Sequence, residues 1–234
     1  MFNHLATSLR EIKFMNNLSC PLCSSNQTNF LCSKYITWKF KHEREFFLCE
    51  ICNLIFVPKK FHLSEKDQIN RYLQHNNTPE DLNYRKFLSK LLTPLVQNIN
   101  PKSHGLDYGS GPGPTLSIML EEIGFNVAIY DIYFSPNTLV LNKQYDFITC
   151  TETAEHFSTP KEEFENFQKI LKPKGYIGIM TSMIEDPESF LDWYYNRDPT
   201  HISFYSKKTM SWIAKNFNWT IKFSDSTVTL FKKS

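Results

Sequence analysis

Apolar positions along the chain fall into two repeating patterns. Helical spacing marks four stretches. Tyr84, Leu88, Leu91, Leu92, Leu95 and Ile99 make one stripe; Leu116, Met119, Leu120 and Ile123 make a second. Phe164, Phe167, Ile170 and Leu171 make a third, and the fourth predicted helix runs from Lys207 to Phe217. Thr78-Pro79-Glu80-Asp81 starts the first of these, with a capping hydroxyl followed by proline at the first helical position; Pro94 marks a kink. Short apolar runs predict buried strands at 104–108, 125–131, 145–151 and 176–180, with Thr138 to Leu141 as a remnant strand between the second and third of them. Trp219 to Ser224 and Thr227 to Lys233 alternate, which predicts a closing antiparallel hairpin. Strands that alternate with helices define an α/β class with a mostly parallel sheet. Ahead of this, Phe30 to Phe40 and Phe46 to Leu48 read as short strands, and Leu5, Leu9 and Ile12 as one weakly helical stretch. Phe56 to Asn77 reads as a connector, with Tyr72 to Asn77 as an alternative lining for a substrate mouth. The resulting division is an N-terminal segment over 1–60, a connector over 61–79 and an α/β domain over 80–234.

The first strand of the α/β pattern runs into Asp107-Tyr108-Gly109-Ser110-Gly111-Pro112-Gly113-Pro114 and then a helix. Glycines there let backbone approach a ligand closely, and the helix start offers unpaired N–H groups. The spacing is G-x-G-x-G. It is neither the dinucleotide fingerprint, since residue 114 is proline, nor a phosphate-binding P-loop, since no Gly-Lys-Ser/Thr follows. The next strand ends on Asp131, 18 residues beyond Gly113, where a carboxylate can take ribose hydroxyls. The strand over 145–151 runs into Thr151-Glu152-Thr153-Ala154-Glu155-His156, and Leu171-Lys172-Pro173-Lys174-Gly175 turns into the strand after it.

These four features, in this order, resemble the motifs of class I S-adenosylmethionine-dependent methyltransferases over residues 80–234. The resemblance implies a Rossmann-like sheet of order 3-2-1-4-5-7-6. By the same resemblance, Asp107, Gly109, Ser110, Gly111 and Gly113 hold the methionine part of S-adenosylmethionine and Asp131 the ribose. Thr151 and Glu152 stand by the sulfonium. Members of the family place a helix and a third strand with an acidic residue between the ribose-binding acid and the fourth strand. Here only Ile132 to Gln144 separate Asp131 from Tyr145, and none of them is acidic. Adenine is therefore expected against apolar and aromatic groups at Ile132, Tyr133 and Phe134. Related enzymes use the segment after the fifth strand as a substrate lid. His201 is accordingly the candidate general base, with Glu152 as the second catalytic candidate. Trp193, Tyr194, Arg197 and Tyr205 are candidates for substrate contact, as is His156, which has a capping and packing role as its alternative.

Cysteines change the picture of the N-terminal segment. Cys20-x-x-Cys23 and Cys49-x-x-Cys52 are two knuckles separated by 25 residues, a spacing that supplies four thiolates to a tetrahedral Zn²⁺ in a zinc-ribbon plan. A segment this small has little core, so the metal would supply much of its folding free energy. Four thiolates close the coordination shell, so this zinc is structural. Cys32, Cys150 and His42 have no partner at ligand spacing.

Charge sorts the partners. The whole chain is +2, but residues 1–60 hold eight Lys/Arg against four Asp/Glu while the remainder holds eighteen against twenty. The mild basic excess keeps an RNA or protein methyltransferase open, with the ribbon recognising the macromolecule. The small total charge, and the absence of Asn/Asp-Pro-Pro-Tyr/Phe after the fourth strand, favour a small-molecule acceptor. A third reading is a non-catalytic binding module on the same fold. No apolar run reaches membrane-spanning length, and no signal-peptide core precedes Cys20, so the expectation is a cytoplasmic monomer or homodimer.

Overall fold

A computed structural model of the chain describes residues 18–38, 40–74 and 77–234. The stretch at Leu5, Leu9 and Ile12, and His75 and Asn76, lie outside the described residues.

The main sheet has six strands: β4 (His104–Tyr108), β5 (Asn126–Tyr130), β6 (Tyr145–Thr151), β7 (Leu171–Met180), β9 (Trp219–Ser224) and β10 (Val228–Lys233). Their order is β5-β4-β6-β7-β10-β9. The first four run parallel, and β10 is antiparallel to both neighbours. This is the Rossmann-like α/β arrangement expected, less one strand. Thr138–Asn142 forms a 3-10 turn capped by Asn137, not a third strand. With thirteen residues from Ile132 to Gln144, the chain closes a tight loop (Asp131 and Ser135 exchange both backbone bonds) and has no length for a crossover helix.

Two helices cover each face. On one, α2 (Leu82–Val96) and α3 (Thr115–Glu122) bury Leu88, Leu91, Leu95, Leu116, Met119 and Leu120 against Val127, Phe147 and Leu230. Asp81, not Thr78, caps α2: its carboxylate accepts from the Asn83 and Tyr84 N–H groups, and Pro79 lies in the preceding turn. On the other face, α4 (Pro160–Ile170) and α5 (Lys207–Phe217) bury Phe164, Phe167, Ile170, Met210 and Ile213. A capping box between Ser206 and Thr209 starts α5, and Asn218 in the left-handed conformation ends it.

The N-terminal segment builds a second sheet of order β1-β2-β3-β8, from β1 (Thr28–Trp38), β2 (Phe40–Cys49), β3 (Ile55–Phe56) and β8 (Ser203–Phe204). The last strand comes from the far end of the chain. The apolar interior is likewise shared: Phe46 and Ile55 pack with Phe190, Tyr195 and Phe204, while Cys20, Leu22 and Leu54 join the cluster of Phe164, Tyr205 and Ile213. Within the connector, Glu65–Tyr72 forms α1, with Ser64 as its N-cap. No helix among the described residues is long and apolar enough to cross a membrane.

Candidate functional site

At the C-terminal ends of β4, β5 and β6 the main sheet opens into a cleft of about 360 Å³. Open α/β sheets bind their ligands on this side. The turn after β4 forms its floor. Gly109 and Gly111 have φ of +76° and +65°, a conformation that glycine adopts without the strain a side chain brings. A Cβ on Gly109 would lie 2.2 Å from the Thr153 side chain, and one on Gly113 2.2 Å from the Asn77 carbonyl oxygen. Ser110 holds its hydroxyl buried in this turn with no partner.

Five acidic residues line the cleft; Glu163 accepts the Tyr108 hydroxyl at 2.5 Å, and the other four stand around the strand ends. Asp107, 2 % exposed, accepts the Thr149 hydroxyl at 2.7 Å; burial nevertheless pushes it up to about 6. Asp131 accepts backbone N–H bonds from Gly111 (2.9 Å), Tyr133 (2.8 Å) and Phe134 (3.0 Å). A carboxylate offers about four lone-pair positions. Three are thus taken, and one is left for a single hydroxyl of a ligand, where the sequence reading expected room for both ribose hydroxyls. Glu152 ends β6 with φ +48°, an uncommon state for a residue with a side chain and one that recurs at functional sites. Burial first, and then the charge of Glu155, push its carboxyl up to about 9. Glu155 is 1 % exposed; its Oε1 accepts the Tyr195 hydroxyl at 2.6 Å and its Oε2 has no partner. Among the described residues no lysine or arginine forms an ion pair with Glu152 or Glu155, although the charge of Lys90 acts on Glu152, and such a wall favours a cation.

On the far wall stand two histidines. The Nδ1 of His156 is 3.0 Å from the Thr200 carbonyl oxygen, and the Nδ1 of His201 is 2.8 Å from that of Tyr195. Burial, and then the neighbouring His156, hold the His201 imidazole down to about 4, so it is neutral at pH 7. Its loop is fixed from behind by Arg44, a fully buried side chain of β2. The guanidinium donates to the Asp198 carbonyl at 2.9 Å and to the His201 carbonyl. Asp198 in turn pairs with Arg71 of α1 at 2.7 Å. Tyr72, also of α1, packs its ring 5.0 Å from His156 and 6.0 Å from Tyr133.

Asp107, Gly109, Ser110, Gly111, Gly113, Asp131, Ile132, Tyr133, Thr151, Glu152, His156 and His201 all line the cleft. The four other residues expected at substrate do not. Tyr205 is core, its hydroxyl donating to the Ala154 carbonyl at 3.1 Å. Trp193 packs against Phe190, Tyr195 and Phe204. Tyr194 is 62 % exposed with its hydroxyl against Ser182, and Arg197 is exposed. The segment expected as a lid instead packs much of its aromatic surface, Phe190, Tyr195 and Phe204, against Phe46 and Ile55 of the N-terminal sheet. Sequence reasoning passed over Arg44, Gln68, Tyr84 and Glu155. A buried arginine in an alternating strand carries no local mark, but Glu155 stands three residues after Glu152 in a cluster at a strand end, which was a signal.

The four cysteines converge. Cys20 and Cys52 sulfurs are 3.5 Å apart, Cys23 and Cys49 sulfurs 3.4 Å, and all four lie within 4.8 Å of one another. The knuckles are built alike. The residue after each pair, Ser24 and Asn53, has φ near +60° and donates its N–H to the first cysteine's carbonyl at 2.9 Å. Hydrogen bonding with Cys20 favours the Cys49 thiolate, at the expense of Cys20 and Cys52. This soft, crowded donor set fits a tetrahedral metal ion.

The glycine turn and the acids just past β5 and β6 frame a cleft across the strand ends of an α/β fold. The profile of one protein family, described as a methyltransferase domain, matches residues 81–222, and the chain belongs to that family. No curated protein matches the sequence. Among solved structures, the fold is similar to that of magnesium protoporphyrin IX methyltransferase (ChlM) from Synechocystis PCC 6803 with bound SAH. The identity is 12 %, over 75 % of this chain and 98 % of that one, with a TM-score of 0.50. It is also similar to an O-methyltransferase family protein from Burkholderia thailandensis, 13 % identical over 71 % of this chain and 63 % of that one, with a TM-score of 0.47.

Proposed function

We propose that the protein transfers the methyl group of S-adenosylmethionine to a small-molecule acceptor. The observation that carries this reading is the orphaned Ser110 hydroxyl in a glycine cradle, on the same cleft as the carboxyls of Glu152 and Glu155, neither of which is ion-paired with a described lysine or arginine. A ligand that is polar at one end and cationic in the middle satisfies both. S-adenosylmethionine, when bound, supplies a methyl group activated on a cationic sulfur.

The residues divide the work. The backbone of 109–113 and Ser110 take the amino-acid end, with Asp107 as counter-charge. Asp131 takes one ribose hydroxyl. Ile132 and Tyr133 wall the base, and Tyr133 is itself steadied by Gln68 of α1 through its hydroxyl at 3.3 Å. Glu152 answers the positive charge. On the acceptor side, His156 and Tyr72 shape the cavity, and His201 has its Nε2 lone pair available because Nδ1 is turned to a carbonyl. As an imidazole held near 4, it takes a proton only from an acidic acceptor such as a phenol or carboxylic acid; general bases of this kind contribute about 10²–10⁴-fold. Positioning supplies most of the remainder.

The enclosed cleft suits a small acceptor. Three of the described basic side chains of the N-terminal segment are already engaged: Arg44 is buried, Lys34 bonds Leu191 and Asn196, and Lys60 pairs with Glu45. The four cysteines hold structural zinc in this reading. Calorimetric titration of zinc-loaded protein with S-adenosylmethionine and S-adenosylhomocysteine tests it. Saturable micromolar binding, weakened at least tenfold by Asp131→Ala, is the expected result. Absence of binding by folded protein overturns it in favour of a binding module on the same fold.

A further inference from the structure

Three side chains of the acceptor wall have a property that methyl transfer alone does not use. Glu155 and His156 lie in a 3-10 turn, Ala154–His156, and His201 reaches the same point from the loop ahead of β8. One donor atom from each lies within 4.8 Å of those of the other two, and Glu155 Oε1 is 4.0 Å from His156 Nε2.

Their hydrogen bonds prepare them as ligands. A carbonyl oxygen only accepts, so the contacts at 3.0 Å and 2.8 Å put the ring hydrogen on Nδ1 of both histidines. Each ring therefore keeps its lone pair on Nε2. Histidines that bind metals are held in this way, with the far ring nitrogen donating to a carbonyl or carboxylate. Glu155 is fixed by the Tyr195 hydroxyl on Oε1, and Tyr195 is held by Thr181 at 3.2 Å. Its Oε2 is buried with no partner. A buried carboxylate oxygen without a donor is strongly unfavourable unless a cation meets it. Among the described residues, no lysine or arginine forms an ion pair with it.

We propose that Glu155, His156 and His201 bind one divalent transition-metal ion, two imidazoles and one carboxylate forming a face whose remaining positions open into the cleft. The nitrogen and oxygen donors suit ions such as Zn²⁺, Fe²⁺, Mn²⁺ or Co²⁺, and differ in kind from the four thiolates of the N-terminal site. Ligand bonds of about 2.0–2.2 Å draw the three atoms closer than they now stand, a movement within reach of side-chain torsions. The ion neutralises Glu155 and offers its open positions to an oxygen of the acceptor. In the loaded protein the His201 lone pair is engaged by the ion, so polarisation by the metal acidifies the acceptor in place of the imidazole.

Cobalt(II) titration of the full chain, with zinc already in the thiolate site and no cofactor or acceptor present, tests this directly. We expect weak visible d–d bands, without sulfur-to-cobalt charge transfer, that saturate at one equivalent. Glu155→Gln, His156→Gln and His201→Gln are each expected to weaken cobalt binding at least tenfold. His156 is partly exposed, so His156→Gln is the deciding variant, with zinc content and melting temperature as the check on folding. No cobalt beyond the thiolate site, or equal affinity in all three variants, overturns the proposal. Since neither cofactor nor turnover enters the measurement, its failure leaves the methyl-transfer reading intact, and the reverse also holds.

Discussion

Replacing Arg44 with methionine separates the N-terminal sheet's structural work from its influence on the cleft. The guanidinium is fully buried and bridges the carbonyls of Asp198 and His201, with its CZ 5.3 Å from the Phe46 ring centroid. Methionine keeps much of the stem packing and removes both hydrogen bonds. The Asp198 carbonyl retains the His201 N–H at 3.3 Å. The His201 carbonyl loses its donor, and a buried unsatisfied acceptor costs about 1–3 kcal/mol. Loss of the charge-assisted bond to Asp198 adds about 1 kcal/mol, and relief from burying a cation returns part of the total. The net expectation after that relief is a loss of about 1–3 kcal/mol, or roughly 2–12 °C in melting temperature for a chain of this size. Arg44→Lys falls between, because one ammonium does not span both carbonyls as the planar fork does. Urea unfolding gives the energy. Calorimetry gives cofactor affinity, which is expected to change less than threefold, while turnover falls at least tenfold as His201 loses its fixed position. A stability loss under 1 kcal/mol with normal turnover refutes the bridge as a positioning device. An equal fall in cofactor affinity shows that Arg44 acts on the whole fold and not through the 198–201 loop.

Three other outcomes follow from the site. Burial raises the Asp107 pKa in the folded protein to about 6 from its ordinary 3.8, so the folded state holds the extra proton between these values. Stability from this group is therefore present at low pH and lost as pH rises from about 4 to 6, amounting to about 3 kcal/mol. Urea unfolding at pH 7.5 should find Asp107→Asn more stable than wild type, with weaker S-adenosylmethionine binding; an equal or lower stability rejects the assignment. Gly113→Ala sets a methyl 2.2 Å from the Asn77 carbonyl and should displace that segment, lowering cofactor affinity at least tenfold in calorimetry with a modest loss of stability. Removing metal from the four cysteines with a chelator should lower the melting temperature of the whole protein in one transition by calorimetric scanning, since the cysteines belong to the interior shared with α4 and α5; a separate low-temperature step would contradict that coupling.

Much of this architecture was legible where local signals are strong. The strand Tyr145–Thr151 and the helix Lys207–Phe217 agree with the sequence reading to the residue. One is a mostly buried run, and the other has a hydroxyl cap at Ser206 and a stop at Asn218. Helix α1 was missed because it buries none of its residues fully and so has no apolar stripe to read. Strands β3 and β8 have two residues each, too short for a local pattern, and β8 exists through pairing with β3 from the other end of the chain. Within the cleft, residues tied to the glycine turn and strand ends were found because backbone topology places them. Tyr205 and Trp193 were assigned to substrate by composition, and tertiary packing took them into the interior.

The shortened loop after β5 and the N-terminal sheet belong to one structural solution. A chain with thirteen residues between Asp131 and Tyr145 has no third strand or crossover helix to wall its ligand on that side. Here α1 supplies the wall, through Gln68 and Tyr72 against Tyr133. The same N-terminal portion fixes the opposite wall. Arg44 and Arg71 hold the 198–201 loop, and the Val57 N–H donates to the Ile202 carbonyl at 2.9 Å just ahead of the β3–β8 pairing. Asn53 of the second cysteine knuckle accepts the Ser206 hydroxyl at 2.7 Å, at the cap of α5. Both sides of the cleft therefore depend on residues 18–74, and the cysteine knuckles anchor those residues to the main sheet. The cysteine cluster and the cleft are coupled through this packing, without a ligand passing between them.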